Sequence, residues 1–86
     1  MPTLSAFFGV LIRMYKSEHN PPHFHAEYGE YKASFDFDGN VIEGSLPPKQ
    51  TKVVAAWALL HEDELITNWN LLQAGEEIIK IAPLKR

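Results

Sequence analysis

From residue 23 to residue 37, in HFHAEYGEYKASFDF, apolar and polar side chains take turns along the chain. A period of two is the pattern of a half-buried strand. Gly29-Glu30 interrupts it in the middle and reads as a two-residue hairpin turn with Gly first. Upstream, FFGVLIRMYK at 7–16 is rich in β-branched and aromatic residues and reads as one strand. Lys16 to Pro22 reads as a loop, because Pro21 and Pro22 have no N–H to give to a ladder. Downstream, a turn around Asp38-Gly39-Asn40 leads into a fourth short strand in VIEGSL. Residues 7–46 are therefore expected to form an antiparallel meander.

At Pro47 the period changes. Val53, Ala56, Trp57 and Leu60 follow the i, i+3, i+4, i+7 spacing of an amphipathic helix. Pro47 or Pro48 suits its first turn, with Ser45 as a candidate cap. Leu65, Ile66, Trp69 and Leu72 repeat the pattern. Between them, His61-Glu62-Asp63-Glu64 places acidic residues where they favour the N-terminus of a second helix; one long bent helix is the alternative. Gly75 is a natural stop, and the tail offers a short fifth strand at 78–81, closed by Pro83. The expected class is α+β: a single domain over residues 1–86, with a meander sheet and one or two C-terminal helices packed on one face.

The Gly29-Glu30 turn fixes a register. Tyr28 faces Tyr31, Ala26 meets Ala33 and Phe24 meets Phe35. In the other set Glu27 meets Lys32, His25 meets Ser34 and His23 meets Asp36. Alternation separates these into two faces. Phe24, Ala26, Tyr28, Tyr31, Ala33, Phe35 and Phe37 form the core face, joined by Ile42, Gly44 and Leu46. His23, His25, Glu27, Lys32, Ser34 and Asp36 form an open polar face, joined by Val41, Glu43 and Ser45. Arg13 and Tyr15 appear on the polar face if Val10, Ile12 and Met14 point inward.

Composition narrows the class. The 86 residues are 45% hydrophobic and 12% aromatic, enough for a packed core. The apolar runs fall well short of the ~20 residues that cross a bilayer. No leader peptide is expected, because no basic region precedes the apolar N-terminal stretch and Arg13 stands where cleavage would begin. Without cysteine there are no disulfides and no thiolate metal ligands, which suits a cytoplasmic location. A formal charge of −3 argues against a broad nucleic-acid footprint.

Against that background the notable chemistry is HNPPHFHAEY at 19–28, with three of the four histidines of the chain in seven residues. A solvated sheet face is the plainest reading, and a protein-contact face is another. A divalent metal held by His23 and His25, with His19 or a carboxylate, is a third. Same-face side chains on one strand start ~7 Å apart, so such a site needs convergence. A fourth is metal-free acid–base catalysis, with no cofactor. Here Asp36 orients His23, His25 is the second proton-transfer group, His19 folds over from the loop, and Arg13, Lys32 and Glu27 line the binding surface. That is the minimum equipment for cleaving RNA. His61 reads as a cap or surface residue, Trp57 and Trp69 as core. Lys49, Lys52, Lys85 and Arg86 read as solvated charges.

The segments MPTL, FFGVLIRMY, HNPPHFHAEYGEYKA, EGSLP and ELITNW together resemble a family of small bacterial proteins classed as a domain of unknown function. The resemblance covers nearly the whole chain. It implies a partner, a second small protein encoded by a neighbouring gene, and for some members the toxin half of a toxin–antitoxin pair. It carries no catalytic assignment. His19, His23 and His25 are where its motif meets the polar face derived above.

Overall fold

The computed structural model describes residues 3–16 and 18–85. Met1 and Pro2 of the opening motif, Ser17 of the expected Lys16 to Pro22 loop, and Arg86 lie outside the described residues. Five strands come first: β1 (Thr3–Phe7), β2 (Val10–Arg13), β3 (His23–Tyr28), β4 (Tyr31–Asp36) and β5 (Val41–Gly44). Two helices follow, α1 (Pro48–Leu60) and α2 (Glu62–Gln73). The strands form one antiparallel sheet in chain order, β1-β2-β3-β4-β5, and the helices cover one face. This is the expected α+β meander. Among the described residues, no helix is long and apolar enough to cross a membrane.

The central hairpin has the expected register. His23 pairs with Asp36, Phe24 with Phe35, His25 with Ser34, Ala26 with Ala33, Glu27 with Lys32 and Tyr28 with Tyr31. Beneath it the core is aromatic. Phe24 stacks on Phe35 with centroids 5.4 Å apart, and Trp57 meets Phe24 edge-on at 5.6 Å. Val10, Ile12 and Met14 are fully buried. Tyr31, expected in the core, is 49% exposed, because it sits at the turn beyond the reach of the helices.

Four other expectations change. The fifth strand lies at the N-terminus, not at 78–81. FFGVLIRMYK turns back at Phe8-Gly9, both with positive φ, 50° and 77°, so Phe7 pairs with Val10. A phenylalanine in the left-handed region is uncommon, so the turn is hard to foresee. Residues 78–81 form no strand, but the Ile81 N–H donates to the Leu4 carbonyl on the outer edge of β1 at 2.9 Å.

The second change is in β5. A register shift lies between Ser34 and Phe35, so Val41, not Ile42, stands opposite Phe35. Ile42 is consequently 48% exposed instead of core. Gly44 stands opposite Ala33 as expected but is exposed at the sheet edge, while Leu46 is buried. Gly44 has φ 76°, and a Cβ there would lie 2.2 Å from the Lys32 carbonyl oxygen. Gly44→Ala should therefore cost roughly 2–4 kcal/mol, combining left-handed strain with overpacking. Urea denaturation reads this directly, and an unchanged midpoint would contradict it.

The third change is helical phase. The buried face of α1 is Gln50, Val54, Trp57 and Ala58. Ala56 and Leu60 are exposed. VVAAWALL is apolar almost all round, so the pattern does not choose a face, and the docking of Trp57 on Phe24 does. In α2, Asn68 replaces Ile66 on the buried side. Its amide works like a strand partner for the tail. Nδ2 donates to the Ile79 carbonyl at 2.9 Å, and Oδ1 accepts from the Ile79 N–H at 2.6 Å.

The fourth concerns the caps. Pro47 occupies the N-cap position with Pro48 at N1, and Ser45 makes no cap. The helix is broken at His61, which ends α1 and begins α2. His61 Nδ1 lies 2.6 Å from Glu64 Oε1. Glu62, Asp63 and Glu64 occupy the first turn of α2 as the charge pattern suggested.

When protonated, the Glu62 carboxyl can donate to Asp38, and this, slight desolvation and the Asp38 and Asp63 charges raise its pKa. A carboxyl whose folded pKa is raised favours the folded state while protonated, and that gain is lost as pH rises through the raised value. Glu62→Gln should therefore raise the melting temperature at pH 7, and the gain should shrink toward pH 4. Equal melting curves of the two proteins at both pH values would contradict this repulsion.

Candidate functional site

Ahead of β3, residues 18–22 bring the chain to the polar face of the sheet just before His23. They deliver Glu18 between the two strand histidines. His25 Nε2 lies 2.5 Å from Glu18 Oε1, and His23 Nε2 lies 3.4 Å from Glu18 Oε2. The potential ligand atoms of Glu18, His23 and His25 all fall within 4.8 Å of one another. Convergence absent from a flat strand is thus supplied by the loop carboxylate.

Both rings are held from behind. The Pro21 carbonyl lies 2.8 Å from His23 Nδ1. A carbonyl only accepts, so His23 Nδ1 carries a proton and Nε2 is the nitrogen turned toward Glu18. Ser34 Oγ lies 3.3 Å from His25 Nδ1. Tyr15 meets the His25 ring edge-on at 4.8 Å, and the His23 ring packs against Trp69 of α2 at 5.5 Å. Gln73 Nε2 donates to the Glu18 carbonyl at 3.4 Å. The face is therefore less open than its polar pattern suggested: the His23 and His25 side chains are 14% and 29% exposed.

Asp36 stands opposite His23 in register but does not orient its ring. Its Oδ1 accepts from the backbone N–H of Asp38 at 3.0 Å and of Asn40 at 2.9 Å, and its Oδ2 from Asn40 Nδ2 at 3.2 Å. Turn amides have taken the carboxylate. Arg13 lies opposite His25 and pairs with Glu27, Nε to Oε2 at 3.4 Å. Lys32 is exposed beside the larger of two grooves. That groove, about 440 Å³, runs past Tyr15, His25, Glu27, Lys32, Ser34 and Glu43. A smaller one of about 250 Å³ is lined by Glu18, His19, His23, Ile42, Ser34 and Glu43. His19 is exposed on its rim, apart from the ligand cluster. The grooves share Ser34 and Glu43, with the histidines between them.

Sequence reasoning missed Glu18. Its only signal is position, next to His19 in SEHNPPHFH, because a loop has no periodicity to assign a face.

Residues 9–70 match the model of a domain of unknown function, DUF4160. The chain belongs to this family. The match agrees with the resemblance seen in the sequence at the level of a family without assigned function. In this DUF4160 protein the matched span includes every residue of the cluster, its holders Tyr15, Pro21 and Ser34, and Trp69. No curated protein and no solved structure matches the chain.

Proposed function

We propose that this DUF4160 protein is the effector half of a toxin–antitoxin-like pair in bacteria. It acts on RNA or a related phosphate ester at the Glu18/His23/His25 centre. The observation that carries this reading is the meeting of two imidazoles and a carboxylate where the two grooves join. In hydrolysis, water oxygen bonds to phosphorus, the ester oxygen leaves, and a proton passes from the water to that oxygen. Without a metal, the Glu18–His25 pair takes the proton and His23 returns one; the 2.5 Å contact of the pair supports this proton path. The partner, a small protein encoded beside it, is drawn from the family resemblance, and exposed Leu59 and Leu60 at the end of α1 offer it apolar surface.

Expression of the chain with and without the neighbouring gene tests the reading. Growth arrest with loss of intact RNA, relieved by the partner, is expected. Normal growth with intact RNA at full expression would overturn it.

A further inference from the structure

We infer that Glu18, His23 and His25 form a binding site for one divalent transition-metal ion of the zinc or iron(II) class, with coordination positions left open toward the grooves. The site belongs to the centre proposed above, but the inference rests on its geometry and not on the substrate.

Three features carry it. The first is spacing. Ligands at the ~2.0–2.1 Å distances typical of zinc stand roughly 3.3 Å from one another around a tetrahedral ion. His23 Nε2 and Glu18 Oε2 are 3.4 Å apart. As an ion enters, the 2.5 Å His25–Glu18 contact opens by about 0.8 Å and the two histidine nitrogens, within 4.8 Å of each other, draw together.

The second is what stands behind the ligands. A metal-bound histidine donates its other N–H to a carbonyl, carboxylate or similar group, which fixes the tautomer and the ring. Both histidines have such a group: the Pro21 carbonyl at 2.8 Å for His23, and Ser34 Oγ at 3.3 Å for His25. In its neutral form, with the proton on Nδ1 facing the Pro21 carbonyl, the His23 ring aims the Nε2 lone pair at a carboxylate oxygen. Two lone pairs facing each other repel, and a cation between them satisfies both.

The third is charge. Glu18, Glu27 and Glu43 surround the centre, while Arg13 is already paired to Glu27 and Lys32 lies out along the groove. This setting attracts a divalent cation and repels a bare phosphate. A bound ion reverses that, giving a phosphate oxygen a positive partner in an acidic protein. Two imidazoles and one carboxylate, without thiolate, suit zinc or iron(II) over calcium or magnesium.

The test is titration of untagged, chelator-stripped protein with Zn²⁺ by calorimetry, alongside Co²⁺ absorption. One ion per chain is expected. His25→Ala and Glu18→Gln should each lower affinity at least about tenfold, Ser34→Ala about tenfold, and His19→Ala not at all. Circular dichroism checks the fold of each variant. If His25→Ala fails to fold, the Co²⁺ spectrum of the wild type decides: a low-symmetry, non-aqueous spectrum supports the site, and the spectrum of aqueous Co²⁺ overturns it. Equal Zn²⁺ binding by wild type and a folded His25→Ala also overturns it. Zn²⁺ binding with no effect on RNA or growth would remove the proposed function and leave the metal site standing. RNA cleavage by protein that binds no Zn²⁺ and ignores chelator would do the reverse.

Discussion

Trp57→Ala should leave the chain largely unfolded or within a few kcal/mol of unfolding. The ring is fully buried, packs against Phe7 at 5.3 Å and Phe24 at 5.6 Å, and touches His61 at 5.5 Å. Its Nε1–H donates to the Ala82 carbonyl at 2.9 Å, which pins the tail under α1. Replacing such a ring by a methyl group costs about 3–5 kcal/mol through lost burial and the cavity left behind. Domains hold only ~5–15 kcal/mol in all, and one of this size belongs at the low end. Trp57→Phe keeps most of the ring and should cost much less. Urea titration followed by circular dichroism separates the three proteins. Wild-type stability in Trp57→Ala would mean that α1 does not seat on the sheet through this residue.

His25→Ala should abolish growth arrest and RNA loss while leaving the protein folded. His25 contacts Glu18, Ser34, Tyr15 and His23 but does not enter the aromatic core. Side chains outside the core and its buried networks usually change stability by little, and here the expected cost is under ~1 kcal/mol. His23→Ala should also lose activity, at a larger cost in stability, because its ring packs on Trp69. His19→Ala should change neither. Growth curves, RNA integrity and melting temperature measured on the same variants decide this. Full activity in a stable His25→Ala protein would take the histidine centre out of the mechanism.

The hairpin was legible in the sequence because two independent patterns agree. The alternation and the Gly29-Glu30 turn both require Phe24 opposite Phe35 and Ala26 opposite Ala33, and a one-residue slip would bury His25. Helical phase was not legible, because an apolar segment such as VVAAWALL satisfies several faces at once. The bulge that expels Ile42 lies next to a turn in which the Asp36 carboxylate gathers the amides of Asp38 and Asn40, a local arrangement that periodicity does not record. The same capture explains why Asp36 faces His23 in register yet leaves its ring to Pro21 and Glu18. Cross-strand pairing places Cα atoms; hydrogen-bond competition decides where a carboxylate points. The histidines could be assigned to one face from the strand period, whereas Glu18 reaches that face by folding back from a loop.

Nitrogen-15 spectra of the four imidazole rings, recorded as Zn²⁺ is added to one equivalent, test the Glu18/His23/His25 centre most directly. Nε2 of His23 and of His25 should shift together and stop at one equivalent, with the Nδ1 atom of each metal-bound ring protonated and the rings of His19 and His61 unmoved. A shift at His19 with His23 unaffected, or no shift at any ring, would contradict the centre.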